Sequence, residues 1–330
     1  MHAISRRRFL SAATAGTVAA AAGYSSLPVQ PKALIAITLD LEMSAEYPKR
    51  GMTEWNFRKG DLDADTKKYA AGAATIARDR GGLIHFFTVG QTLEQPDVAW
   101  LKDLAAAGHP IGNHTYDHVY LLAAKPEEIQ FRFQRSPWLI RGKSVAEVLE
   151  ENIATTTLAM KERCSLTPNG FRTPGGFRDG LNGRTDLQKM LLKQGFTWVS
   201  SLYPPHSCGT PKQQPGPDVY ANIVKAQAAA QPFRYPTGLI EVPMSPVSDV
   251  NAFRTHYWKL DWFLKAIRLG VEQAIRTAGV FDFLAHPSCL VVEDPNFESV
   301  KLICDMVKDA GEKAAIVGLD AIAARIKSSP

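Results

Sequence analysis

The stretch ALIAITLDLE, residues 33–42, decides how the chain folds. It is a continuous apolar run, broken only by Thr38, that ends in acids at 40 and 42. A strand apolar on both faces is one buried between two layers, as in a parallel sheet. Similar runs recur as LIHFFTV at 83–89, near 169–172, at 196–200, LIEVPM at 239–244, FDFLAH at 281–286 and 314–318. Between them lie helical stretches at 65–80, 97–107, 144–162, 184–194, 259–278, 296–310 and 319–327, several closed by glycine. Strands alternating with helices predict an α/β fold with a parallel sheet. About seven such units favour a distorted parallel (β/α) barrel, with an open doubly wound sheet as the alternative. No G-x-G-x-x-G follows the first strand, so the dinucleotide-binding version of that sheet has no support. Residues 203–236, rich in Pro, Gly and Gln, read as a long irregular insertion.

The chain has 330 residues, 45% hydrophobic and 22% charged, with a net charge of +5. This is ordinary globular composition. Part of the basic excess sits at Arg6, Arg7 and Arg8, and no patch of nucleic-acid size is left. SRRRFLSAATAGTVAAAAG, which follows the first four residues, has a basic start, a modest apolar run and small residues at its end. It reads as a signal peptide, since a spanning helix needs about 20 apolar residues. The Arg6-Arg7 pair followed by Phe9 and Leu10 resembles a twin-arginine signal. The expectation is therefore signal and linker over 1–32, a single catalytic barrel over 33–330, and export to the periplasm or beyond by the twin-arginine machinery. No cysteine lies near the cleavage region, so no lipid anchor is indicated. Cys164, Cys208, Cys289 and Cys304 form no metal spacing; disulfides and buried free thiols both stay open.

Function in a parallel barrel collects at the C-terminal ends of strands. Those ends carry Asp40 and Glu42, then His114 and His118 in IGNHTYDH, then Arg172 in RTPGG, then His286. Residues i and i+4 of a helical turn share a face, so His114 and His118 suit one divalent ion, although a polar turn would use the same spacing. Alternation along a strand puts residues 40 and 42 on one side, with Leu41 facing away. His85, inside a strand, reads as a core histidine.

Together, TLDLE (38–42), HTYDH (114–118), RTPGG (172–176) and LAH (284–286) resemble the polysaccharide deacetylase family, also called carbohydrate esterase family four. FFTVG at 86–90 is similar to that family's second strand. The resemblance spans about residues 33 to 290. The first motif departs from the commonest T-F-D-D, because position 41 is Leu; D-x-E branches, including those similar to allantoinases, fit better. Val199 stands where the family often has an aspartate that holds the acid histidine, leaving Asp249 and Asp282 as substitutes.

The resemblance implies a barrel of the polysaccharide-deacetylase type and a metal-dependent hydrolase of amide bonds. Glu42, His114 and His118 would hold one divalent ion, Zn²⁺ first, with Co²⁺, Mn²⁺ or Fe²⁺ also fitting. Asp40 would be the base, His286 the acid, and Arg172 the partner of Asp40. Tyr116, Pro174, Gly175 and Tyr203 would contact substrate, with the Tyr116 N–H as a candidate oxyanion donor. Trp55 and Trp258 are further candidates for a sugar groove, Asp117 for holding a histidine tautomer, and His206 with Cys208 for an outlying metal role. The substrate would be an N-acetylated amino-sugar polymer or cell-wall glycan. Alternatives are a small amide, as in the allantoinase-like branch, an O-acetyl ester on xylan, and glycan binding without turnover. Neither nucleic acid nor a stable membrane anchor is expected.

Overall fold

The computed structural model describes residues 32–327, except 45, 48, 50, 53 and 169. The expected signal and linker lie outside this range but for residue 32. Nine strands form one sheet: β1 Ala33–Leu41, β2 His85–Thr88, β3 Ile111–Asn113, β4 Gly170–Phe177, β5 Trp198–Leu202, β6 Phe233–Arg234, β7 Ile240–Glu241, β8 Val280–Ala285 and β9 Ala314–Ile316. Their order is β6-β7-β5-β4-β3-β2-β1-β8, with β9 also pairing β1. All pairings are parallel except β6 with β7.

Seven strands, β1 to β5 with β7 and β8, make the curled wall; six of them fall on the apolar runs, while the run at 314–318 is β9, off the main path, and β3 is a further short strand that leads into the histidine loop. The parallel wall ends at β7, which β6 flanks, and at β8, and residues 242–245 span the gap. Val242 and Met244 donate to the Val199 and Leu202 carbonyls (2.8 and 2.9 Å), while Ser245 donates to the Asp282 carbonyl (3.0 Å) and its hydroxyl accepts from the Asp282 N–H (2.8 Å). The barrel is thus distorted and closed by a strap rather than by a strand pair.

The first strand is buried along nearly its whole length. Ile35, Ile37, Leu39 and Leu41 face the main core, where helices Leu260–Thr277 and Pro287–Glu293 meet β1 and Ala70, Ala73 and Ala77 of helix Ala64–Asp79 are also buried. Helix Val145–Cys164 begins at a reciprocal cap between Ser144 and Glu147. It ends at Ser165 in the left-handed region. Among the described residues no helix is long and apolar enough to cross a membrane.

Two expectations are corrected. Residues 203–236 are not an irregular insertion. They contain helix Pro217–Ala229, entered through Gly216 and Pro217, and Val219, Tyr220 and Ile223 bury in the main core. The segment belongs to the helical layer and only Tyr203 of it lines the cavity described below. The histidine pair does not lie on a helical turn: His114 and His118 sit in a loop, and Thr115 and His118 have φ of 61° and 58°. All four cysteines are buried free thiols.

Candidate active site

At the C-terminal end of the strands lies a cavity of about 220 Å³, lined by Asp40, Glu42, His114, His118, Tyr203 and His286 among others. Asp40 and Glu42 point into it, while Leu41 faces the outer core, as strand alternation requires.

The HTYDH loop is held from below. Asn113 Oδ1 accepts from the Thr115 N–H (2.8 Å), and Asn152 Oδ1 accepts from the N–H groups of Tyr116 and Asp117 (2.9 and 2.8 Å). Asp117 is buried and bonded to Gln91, Asn152 and Arg132, so it anchors the loop rather than a histidine. The histidine tautomer is set elsewhere, since His114 Nδ1 lies 3.0 Å from the Arg172 carbonyl. That contact makes Nδ1 the protonated nitrogen and turns the lone pair of Nε2 toward Glu42.

Three atoms converge. His118 Nε2 lies 2.6 Å and His114 Nε2 3.8 Å from Glu42 Oε2. Ligand atoms on one tetrahedral ion, each about 2.1 Å away, sit roughly 3.4 Å apart. Glu42 Oε2 is buried and has no hydrogen-bond donor. Lys59 Nζ binds the other oxygen, Oε1, at 3.0 Å. Burial lowers both histidines below their ordinary value, so each keeps a lone pair; His118 and Lys59 hold the Glu42 carboxyl well below the usual carboxylate range, against the effect of its burial. Two neutral imidazoles and one carboxylate oxygen without a donor fit a divalent cation.

Asp40 and His286 flank this cradle. His286 Nε2 faces Asp40 Oδ2 at 4.0 Å and Glu42 Oε1 at 3.8 Å. Its Nδ1 lies 2.9 Å from Asp249 Oδ1, and its main-chain N–H donates to Asp249 Oδ2 at 2.7 Å. Burial pushes the Asp40 carboxyl up to about 6, against the pull of Arg172. Burial would lower His286, but Asp249, Glu42 and Asp40 prevail and raise it to about 9.

Arg172 is fully buried, and its pairing differs from expectation. It binds Asp282 at 2.5 Å, Thr38 at 2.7 Å and Ser200 at 3.2 Å, with Asp40 at 3.4 Å. Asp282 is the main counter-ion, and Asp40 takes the outer edge of the fork. Of the two substitutes for the missing aspartate, Asp249 orients His286 and Asp282 holds Arg172. Val199 is buried in an apolar cluster with Phe171, Phe196 and Leu239.

Other expectations resolve individually. Gly175 lines the cavity with φ of 74°, a conformation that favours glycine, and Pro174 lines an adjoining cavity. Tyr203 lines the main cavity, its hydroxyl accepting from the Ser248 N–H at 2.9 Å. Tyr116 does not line it: its hydroxyl binds Glu94 at 2.7 Å, its ring packs on Gly90, and its N–H is taken by Asn152. It is neither a substrate contact nor an oxyanion donor. Trp258 is buried and donates to the Cys208 carbonyl at 3.1 Å, and Trp55 packs against the main core. His206 Nδ1 lies 2.7 Å from the Pro204 carbonyl and its Nε2 accepts from the Val247 N–H, so it shapes the chain rather than a metal site. His85 is a core histidine, lowered to about 3 by burial, and accepts from the Leu319 N–H. Lys59 and Arg254, both lining the cavity, were not singled out from the sequence. Lys59 follows a loop after β1, and Arg254 lies in a π-helical turn, Val250–Thr255.

Comparison with known proteins agrees with this geometry. The family model described as polysaccharide deacetylase matches residues 61–193, which include His114, His118 and Arg172. No curated protein sequence matches the chain. A provisionally named polysaccharide deacetylase from Mycobacterium smegmatis shares the fold at 17% identity and TM-score 0.59, over 92% of this chain and 93% of that one. A similarly named protein from Pseudomonas aeruginosa PAO1 does so at 11% identity and TM-score 0.56, over 88% and 89%. Puue allantoinase does so at 14% identity and TM-score 0.58, over 93% and 96%. The polysaccharide deacetylase model thus matches a part of the chain, and the fold as a whole is shared with these solved structures.

Proposed function

We propose that the protein is a metal-dependent hydrolase that removes N-acetyl groups from an amino-sugar polymer or cell-wall glycan. One observation carries the reading: a three-ligand cradle, a carboxylate and an oriented histidine share one cavity. Glu42, His114 and His118 are the ligands, and Zn²⁺ is the ion their donor set suits best. A bound ion of this kind polarises the acyl carbonyl and lowers the pKa of the attacking water from about 15.7 to about 7.

The side chains do the rest. Asp40 Oδ2 would take a proton from the attacking water, and Arg172 keeps the carboxylate aimed. His286 Nε2 gives its proton to the departing amine. Asp249 holds the ring by Nδ1 and stabilises the charged form that must be ready to donate. Without that proton the amine is a poor leaving group.

A small-molecule amidohydrolase is the second reading. The main cavity, at about 220 Å³, lies below the range of roughly 300–1,000 Å³ common for ligand pockets. Acetate release decides between them, measured with and without a chelator on chito-oligosaccharides, peptidoglycan and acetylated xylan, with ring opening followed on allantoin. Chelator-sensitive acetate from an N-acetyl glycan supports the deacetylase; ring opening without acetate sinks it. Residues 1–32 would act as a twin-arginine signal that delivers the folded chain to the periplasm. Cell fractionation with an Arg6→Lys/Arg7→Lys chain tests this, and unchanged export would refute it.

A further inference from the structure

Lys59 is buried, at 7% exposure, which a lysine tolerates only when it is paired. It lines the main cavity, and its ammonium donates to Glu42 Oε1 at 3.0 Å. Its main chain is pinned. The Lys59 carbonyl accepts from the Met43 N–H at 2.9 Å, directly after Glu42. Gln95 Nε2 donates to the Gly60 and Leu62 carbonyls, each at 3.1 Å. A Cβ on Gly60 would meet the Thr92 main-chain nitrogen at 2.3 Å, so a larger residue would push the loop away. The loop itself thus delivers the ammonium to Glu42.

The two oxygens of that carboxylate have different surroundings. Oε1 takes the Lys59 hydrogen bond, while Oε2 has no donor and faces His118 Nε2 at 2.6 Å and His114 Nε2 at 3.8 Å. A carboxylate can meet a cation with one oxygen or with both. Holding Oε1 on an ammonium leaves only Oε2 for the ion. Glu42 is also the one charged member of the three ligands, and the ammonium offsets that charge in a buried site, where like charges repel more strongly than in water. We propose that Lys59 is a positioning residue of the metal centre: it reserves Oε1, confines Glu42 to a single bond through Oε2, and loosens the hold on the ion so that positions stay open to ligands from outside the protein. This rests on the metal-dependent reading above and adds a residue outside its ligand set.

The test uses the full chain, stripped with a chelator and titrated with Zn²⁺ and, separately, with Co²⁺ as a spectroscopic probe. K59M keeps the apolar stem of lysine and removes the ammonium. It should bind zinc about 10- to 100-fold more tightly than the wild type. Its Co²⁺ visible bands should weaken, as they do when a four-coordinate site gains another oxygen. K59R, which keeps a charged donor, should return affinity and spectrum toward the wild type. Unchanged or weaker zinc binding in K59M, or an unaltered Co²⁺ spectrum, overturns the proposal and leaves the metal-dependent reading intact. Should K59M fail to fold, K59Q removes the same charge, and its zinc affinity decides in the same way. A wild type that takes up no zinc counts against the metal-dependent reading. K59M then decides the proposal: zinc gained upholds it, and none refutes both.

Discussion

Asp249 grips His286 twice, with one carboxylate oxygen 2.9 Å from ring Nδ1 and the other accepting the main-chain N–H at 2.7 Å. The two residues come from different strand ends, and the double contact fixes both the ring and the loop that carries it. The charge of Asp249 is also the main influence raising His286 above its ordinary value.

Asp249→Asn keeps the shape of this contact and removes the charge. A raised pKa means that His286 stays protonated, and able to donate, up to about pH 9. The kcat/KM profile should therefore hold until about pH 9 in the wild type and then fall. In the variant the basic limb should move down toward the ordinary histidine value of about 6.5. An unmoved limb would remove Asp249 as the group that sets His286.

Asp40→Asn should retain the metal and lose about 10²- to 10⁴-fold in kcat, the usual contribution of a positioned base. In the wild type Asp40 must be ionised to act, so the acidic limb should lie at or below about pH 6, and a bound cation shifts it lower. Turnover near the wild-type rate would exclude Asp40 as the base.

His118→Ala removes the nitrogen nearest the Glu42 oxygen that lacks a donor. Zinc content after dialysis should fall well below one ion per chain, and chelator-stripped wild type should regain both ion and activity on adding Zn²⁺. Stoichiometric zinc in the variant would refute the ligand assignment.

Arg172→Met breaks a fully buried ion pair and strands the Asp282 carboxylate. Breaking such a pair by removing one partner costs about 3–5 kcal/mol. Urea unfolding should show the loss as a lower midpoint, and a midpoint within error of the wild type would mean Asp282 is satisfied without Arg172.

The barrel and its reacting ends could be read from the chain because both obey local rules. A strand buried on both faces must be apolar throughout, as β1 is, and its last residues must open on the cavity. That placed Asp40, Glu42, His114, His118, Arg172 and His286 around one cavity or directly beneath it. What escaped depends on distance along the chain. Asp249 reaches His286 only because residues 242–245 cross the sheet gap, and no periodicity encodes that crossing. Lys59 meets Glu42 through a loop whose path sequence does not fix. The i,i+4 histidine spacing is shared by helices and by the left-handed loop that holds the pair. The helix at Pro217–Ala229 did carry a signal, Gly216 followed by Pro217, hidden in a Pro- and Gly-rich stretch.

The strap that completes the barrel also leads to Asp249, four residues after Ser245. The metal cradle hangs from β1 and β3, which β8, the partner of β1, separates from that join. Capture of the ion and readiness of the acid therefore belong to different arcs of the wall. A fluctuation that lifts the strap from β8 would misalign His286 while Glu42, His114 and His118 kept their grip. The molecule could then be fully metallated and still idle, so that zinc content measures one half of the ring and turnover measures its closure.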